Sequence, residues 1–193
     1  AIISMHNANV DAYTKDAKGP VKQFTLDEVK KFDIGSRIGP QWKDERVPTF
    51  DEILDTVKGK CGIYLDLKDA PVSKLLEIIR KHGMEKQVIW YASPAQQKQV
   101  KKECPECNPM PDPGPEAFLK MVLKDHQPKI IASDAGQFSA SFAQTCHEAG
   151  AIVIVDDKGP ESWDKLLADG ADGIQTDRPA KLIEYLEQRA AKK

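Results

Sequence analysis

A parallel α/β fold is the class this sequence predicts, and three observations predict it. Short β-rich apolar runs alternate with stretches whose apolar residues recur three and four apart. The runs are almost continuously apolar, which suits a sheet covered by helices on both faces. The segment Gly170-Ala-Asp-Gly-Ile-Gln-Thr-Asp-Arg-Pro179 fits a helix end, a tight turn, a strand and a new helix start into ten residues. Right-handed strand–helix alternation leaves two architectures, a doubly wound sheet or a (β/α)8 barrel. Both place their chemistry at the ends of their strands.

Taken in order, the first run is Ile2-Ile-Ser-Met5, expected as a strand. Residues 7–48 then break the rhythm. They are polar and turn-rich, with one short helix opened by the capping box Thr25-Leu-Asp-Glu28. They are expected to form an insertion over one end of the sheet. A second capping box, Thr49-Phe-Asp-Glu52, opens a helix with the stripe Phe50, Ile53, Leu54 and Val57. The strand Gly62–Leu67 follows, then a helix on Val72, Leu75, Leu76 and Ile79 closed by Gly83, then the strand Gln87–Tyr91.

The Lys98 to Lys102 stretch reads as a solvated helix face, as does the Lys192-Lys193 end. Pro105 to Pro115 holds five prolines and reads as a stiff loop, with a weak strand candidate at Asn108–Pro111. The strands Lys129–Ala132, Ala151–Val155 and Gly173–Thr176 alternate with stripes on Phe138, Phe142 and Cys146, on Trp163, Leu166 and Leu167, and on Leu182, Ile183 and Leu186. Gly170 is expected to end a helix at positive φ. Thr176 and Asp177 are expected to cap the last helix, with Pro179 in its first turn.

The totals bound the function. The 193 residues form one domain by the usual size prior and can bury a real core. A net charge of −2 gives no nucleic-acid footprint. No apolar run approaches the roughly 18 residues a membrane span needs. The start has no secretory signal pattern. The compartment stays open, with a periplasmic or secreted location weighed above a cytoplasmic one, and homo-oligomer formation stays an option. Among four cysteines, Cys104-Pro-Glu-Cys107 is a CxxC. No second CxxC completes a zinc site, and the pair lacks the strand-then-helix setting of a redox motif. A local disulfide or two free thiols is the expectation.

The sequence contains no GxGxxG, P-loop, GxSxG or HExxH motif. Polar residues instead sit at the ends of the apolar runs. His6 ends the first. Asp66 and Lys68 end the second and, two apart, point to one face. Ser93, Asp134, Asp156 with Asp157, and Asp177 end others. A carboxylate, a Lys and a His suit a metal-and-phosphate site: hard cations take carboxylate oxygens, Lys offers a point charge, and His moves protons near neutral pH. The bland alternatives are a buried Asp66–Lys68 ion pair and an ordinary terminal His6. His82, His126 and His147 read as surface groups.

At these residues the chain resembles the glycerophosphodiester phosphodiesterases. Ile3-Ser-Met-His6 with Val10-Asp11 and Thr14 is similar to that family's strand ending in His-Asp. Phe24-Thr-Leu-Asp-Glu28 to Gly35 resembles its "LTLEEL…DAG". Arg46-Val-Pro-Thr-Phe-Asp-Glu-Ile-Leu54 resembles "IPTLEEVL", Tyr64-Leu-Asp-Leu-Lys68 falls at "IEIK", and Gly170 to Pro179 matches "GVDGIITDRP". The resemblance implies a TIM (β/α)8 barrel that hydrolyses glycerophosphodiesters to an alcohol and glycerol phosphate with a divalent metal, Ca²⁺ or Mg²⁺. It implies His6 as one of two catalytic histidines, Asp66 as a metal ligand and Lys68 as a phosphate contact. Residues 7–48 become the insertion over the active-site end.

Several features depart from the family pattern. The family's "HRG", "PENT" and "ExD" segments, which carry the other His, an Arg and two metal carboxylates, are absent. The expectation is an N-terminally incomplete barrel lacking its first two βα units. Asn7 replaces an Asp, Asp66 stands for a Glu, and Val155-Asp156 replaces a Trp-Thr. These motivate a second reading, a degenerate, non-catalytic barrel that binds a phosphorylated ligand or a partner. A third reading is a redox module built on Cys104 and Cys107.

Overall fold

The computed structural model describes residues 1–191, so the Lys192-Lys193 run lies outside the described residues. The chain divides into two compact units, residues 1–62 with 68–84, and residues 63–67 with 85–193.

The first unit is helical and loop-rich. It contains α1 (Leu26–Val29), α2 (Phe50–Val57) and α3 (Val72–His82). Both expected capping boxes form: Thr25 Oγ1 accepts the Glu28 N–H and Thr49 Oγ1 the Glu52 N–H, while each Glu reaches back to its cap residue. Two orphan donors are satisfied at each helix start. Val10, Val29, Phe32 and Val47 form a small core, and Phe24 meets Phe32 edge to face at 5.2 Å. Residues 7–48 thus carry their own apolar cluster. Gly83 closes α3 at φ 65°, a left-handed conformation that Gly adopts without Cβ strain.

The expected strand Ile2–Met5 is not one. Ile3 makes an isolated antiparallel bridge to Thr49, with the Phe50 N–H donating to Ile2 O at 2.9 Å and the Ser4 N–H to Pro48 O at 3.0 Å. The run pairs with the extended stretch that leads into α2, and this satisfies its backbone groups where no parallel neighbour does.

The second unit holds the sheet. β1 (Ile63–Asp66), β2 (Val88–Tyr91) and β3 (Asn108–Pro109) pair in parallel, and so do β4 (Ile130–Asp134), β5 (Ile152–Asp156) and β6 (Gly173–Gln175). The weak candidate at Asn108–Pro111 is therefore a strand, shortened to two residues by its prolines. The Ala132 N–H donates to Pro111 O at 3.0 Å, a single backbone bond between the segment after β3 and β4. Helices α4 (Pro94–Glu103), α5 (Leu119–His126), α6 (Ala140–Glu148), α7 (Trp163–Ala168) and α8 (Pro179–Ala190) alternate with the strands.

Side-chain alternation splits the core into two layers. Tyr64, Ile89, Tyr91, Ile130, Ala132 and Ile154, on four strands, form one cluster with Met110 just past β3. Ile131, Val153 and Val155 point the other way, to Leu119, Phe142, Cys146 and Leu166. Burial on both faces is what a parallel sheet requires, and each fully buried large apolar side chain contributes roughly 1.5–3 kcal/mol.

The step into β6 follows the sequence closely. Gly170 takes φ 98° past α7, and Pro179 is the first residue of α8. The capping differs from expectation. Arg178 is the N-cap without a side-chain bond, and Thr176 Oγ1 accepts the Arg178 N–H at 3.2 Å. Asp177 does not cap. It belongs to the acidic group at the strand ends.

Candidate active site

Within the second unit, parallel register brings the C-terminal ends of the strands to one edge of the sheet. The side chains there are Asp66 on β1, Tyr91 on β2, Asp112 just past β3, Asp134 on β4, Asp156 on β5 and Asp177 after β6. Tyr64 lies two residues before Asp66 and so shares its face. The Tyr64 and Tyr91 rings are 5.9 Å apart, and Tyr91 Oη donates to Asp112 Oδ2 at 3.1 Å.

The electrostatics show how close these groups are. Burial, then the neighbouring Tyr91, Asp66, Asp156 and Asp112, raises the Tyr64 phenol well above its usual range. Tyr91 is pushed up to about 12 by burial and by the Asp112 carboxylate, with Asp66 and Asp156 adding to it. Asp156 is raised by burial and by the like charges of Asp157, Asp177 and Asp134. A negative field of this kind resists further ionisation.

The Asp134 carboxylate accepts the Gly136 N–H at 2.7 Å, and a Cβ at Gly136 would sit 2.8 Å from that oxygen and 3.1 Å from Lys158 Nζ. Glycine there lets a carboxylate and an ammonium approach the same backbone. Asp157, paired with Asp156 in the sequence reading, does different work. It accepts the Gly159 N–H and the Trp163 indole N–H, and so holds the loop after β5.

His6 and Lys68 fall in the first unit. His6 is exposed, with Nδ1 2.9 Å from Asn7 Oδ1. The Asn7 amide oxygen also accepts the Tyr13 hydroxyl at 3.0 Å, the Asn7 N–H donates to Tyr13 Oη at 2.9 Å, and the Arg37 guanidinium covers the Tyr13 ring at 5.1 Å. The amide oxygen is an acceptor, so Nδ1 is the donor in this contact. Lys68 is exposed and Asp66 half-buried. Next to Lys68, Asp69 pairs with Lys22.

His82 corrects the expectation of a surface group. Its side chain is 7% exposed, with Nε2 3.0 Å from Asp51 Oδ1 and Nδ1 3.3 Å from Asp55 Oδ1. Asp51 and Asp55 lie one turn apart on α2, and the ring at the end of α3 inserts between them. The His82 and Lys81 bonds hold Asp51 below the usual carboxylate range. One ligand atom from each of Asp51, Asp55 and His82 lies within 4.8 Å of the others, a spacing that could hold a metal ion. A cation there would have to displace a ring nitrogen from its carboxylate, so the arrangement also works as a helix–helix clasp. His147 is half-exposed and bonds Asp172 at 2.8 Å. Cys104 and Cys107 form a disulfide, the first of the two alternatives expected, and the redox reading gains nothing from its place in a loop.

Sequence reasoning missed Tyr64, Tyr91 and Asp112. The period-two spacing Tyr64–Asp66 was a usable signal for the first. Asp112 lies one residue past the weak strand candidate Asn108–Pro111, in a proline-rich stretch read as a stiff loop.

Carboxylates gathered at the C-terminal ends of parallel strands are the arrangement of an α/β fold, a class that places its chemistry at such ends. The chain belongs to the glycerophosphoryl diester phosphodiesterase family, whose model matches residues 1–105. It is 27% identical over 206 residues to the glycerophosphodiester phosphodiesterase of Caldanaerobacter subterraneus subsp. tengcongensis, spanning 97% of this chain and 81% of that one. Two Bacillus subtilis relatives match over shorter stretches. YhdW is 40% identical over 70 residues, and a glycerophosphodiester phosphodiesterase is 31% identical over 96, which cover 28% and 32% of those proteins. Among solved structures, an Oleispira antarctica phosphodiesterase in complex with the product sn-glycerol-3-phosphate superposes with a TM-score of 0.86 at 20% identity, over 96% of this chain and 79% of that one. The Agrobacterium tumefaciens glycerophosphodiester phosphodiesterase superposes with a TM-score of 0.78 at 23% identity, over 92% and 78%. The fold is that of these phosphodiesterases.

Proposed function

We propose that this protein hydrolyses glycerophosphodiesters to an alcohol and glycerol phosphate. The acidic strand-end edge of the second unit, in a chain of this family, carries the reading. In it, Asp66 is a metal ligand, Lys68 contacts the phosphate and His6 is a general acid–base. The donor set at the strand ends is all oxygen, which suits a hard divalent cation of the Ca²⁺ or Mg²⁺ class. Such an ion supplies polarisation of the phosphoryl oxygens.

The chain's own residues supply the rest. Lys68 offers a point charge to the non-bridging phosphate oxygens. His6 accepts a proton at Nε2 while Asn7 holds Nδ1, so the ring is oriented for proton transfer. The proton comes from the attacking hydroxyl, which the family resemblance assigns in the first step to the substrate's own glycerol. Its oxygen bonds to phosphorus as the P–O bond to the alcohol breaks, the alcohol leaves protonated, and water then opens the cyclic phosphate to glycerol phosphate. Tyr64 and Tyr91, kept protonated, can donate hydrogen bonds near the carboxylates. The six parallel strands are read as part of a (β/α)8 barrel, with residues 7–48 as its insertion. The Cys104–Cys107 disulfide favours an oxidising compartment, periplasmic or secreted.

The test is phosphodiester turnover with glycerophosphocholine and added Ca²⁺ or Mg²⁺. His6→Ala and Asp66→Asn should each lower kcat/KM by about 10²–10⁴-fold, the range for a lost acid–base group. Absent turnover in the wild type, together with metal binding gained only on Asp66→Glu, would favour the non-catalytic reading instead.

A further inference from the structure

We infer that Tyr13, acting through Asn7, is a positioning residue for His6, given the reading of His6 as the general acid–base. His6, Asn7, Tyr13 and the groups that hold Tyr13 all belong to the first unit.

The contacts converge on one amide. His6 Nδ1 lies 2.9 Å from Asn7 Oδ1. The Tyr13 hydroxyl donates to the same oxygen at 3.0 Å and accepts the Asn7 backbone N–H at 2.9 Å. Tyr13 thus grips Asn7 by its backbone and its side chain at once. The Asn7 amide cannot turn without giving up its bonds to Tyr13 and His6 together. Asn7 is exposed, and an exposed side chain without such a partner exchanges among rotamers, a freedom that costs entropy to remove.

The residue types explain why the grip matters. A carboxylate at position 7, as in the family pattern, would draw the ring N–H by its charge. A bond to a neutral amide is roughly half as strong. Its hold on His6 therefore depends on the amide being fixed in place. A phenol suits that task, because its hydroxyl can donate and accept at the same time.

Tyr13 is itself anchored. Val10 is 1% exposed in the small core, its N–H donates to Gly19 O at 3.0 Å, and Asn9 bridges Pro20. The short turn Val10–Ala12 ends at Tyr13, whose N–H donates to Val10 O at 2.8 Å. The Arg37 guanidinium covers the Tyr13 ring, a cation–π contact that restrains it from the opposite side of the loop. A line of contacts therefore runs from a buried valine through Tyr13 and Asn7 to the group that moves the proton.

The experiment measures turnover of glycerophosphocholine with Ca²⁺ or Mg²⁺, together with the ring ¹⁵N signals of His6, in the 193-residue chain. Tyr13→Phe keeps the ring and its contact with Arg37 and loses the hydroxyl alone. It should lower kcat about tenfold, the upper range for one lost hydrogen bond, while KM changes by less than about twofold. Asn7→Ala should do the same. The double variant should be no more than about twofold slower than the worse single one, because both act through one contact. The His6 Nδ1 signal should move in both single variants toward its value in a short peptide, with the circular dichroism spectrum retained. Losses that multiply in the double variant, a loss carried by KM alone, or an unmoved Nδ1 signal in Tyr13→Phe would each overturn the proposal. Absent turnover in the wild type would remove the acid–base reading of His6, while the Nδ1 signal still decides whether Tyr13 holds the ring.

Discussion

At the scale of single residues, environment separates groups that the sequence presents as equals. Cys61 is exposed, Cys146 is buried, and Cys104 and Cys107 are joined. Burial, aided by Asp172 and Glu116, raises the Cys146 thiol to about 12. A thiol reagent at pH 8 should therefore label one cysteine in the folded chain, two after denaturation and four after reduction. Labelling of two in the folded state would contradict the burial of Cys146.

The tyrosines divide in the same way. A phenol whose folded pKa is raised contributes stability that is complete below about pH 10, the unfolded value, and is lost as pH rises through the folded value. Tyr91, at about 12, defines that window as pH 10–12. Ultraviolet titration should show late-titrating phenols, and Tyr91→Phe should remove one of them. Early titration of all four tyrosines would refute the clustering of Tyr64 and Tyr91 with the carboxylates.

At the scale of elements, local signals set where helices begin and packing sets how they are held. The capping box at Thr49 was legible because the bond pattern needs only residues three apart. Thr49→Ala should cost about 1 kcal/mol, read from a denaturant midpoint with an unchanged slope. The clasp between α2 and α3 was not legible, because Asp51 and His82 are 31 residues apart and meet only through packing. Asp51 is held low, so its contribution is present above the unfolded carboxylate value near pH 4 and lost as pH falls through the folded value. Hydrogen exchange of α2 and α3 should accelerate in acid, and His82→Ala should remove that dependence. In the second unit, Phe142 is fully buried against β4 and β5. Phe142→Ala should cost about 3–5 kcal/mol.

At the scale of the whole molecule, strand edges matter. Among the described residues β1, β3, β4 and β6 each have a paired strand neighbour on one side only. Open edges present unpaired N–H and C=O groups to other chains. The 193-residue chain should associate as its concentration rises, seen by light scattering, with Lys or Pro substitutions on β1 or β6 reducing it. A sharp, concentration-independent melt of a monomer would argue against this. The early run Ile2–Met5 shows why the count of strands could not be read directly. An apolar run states only that a segment seeks cover, and here it found an antiparallel neighbour at Thr49.

The sequence by itself determined the alternation of strands and helices, the cap and turn positions, and membership of a phosphodiesterase family. All of these depend on residues within a few positions of one another, where spacing translates directly into geometry. The tertiary structure alone decided that Asp66, Asp112 and Asp156 share one edge with Tyr64 and Tyr91. It also buried His82 between two carboxylates. These juxtapositions join residues far apart in the chain, and they arise from strand register and side-chain packing, which no local pattern encodes.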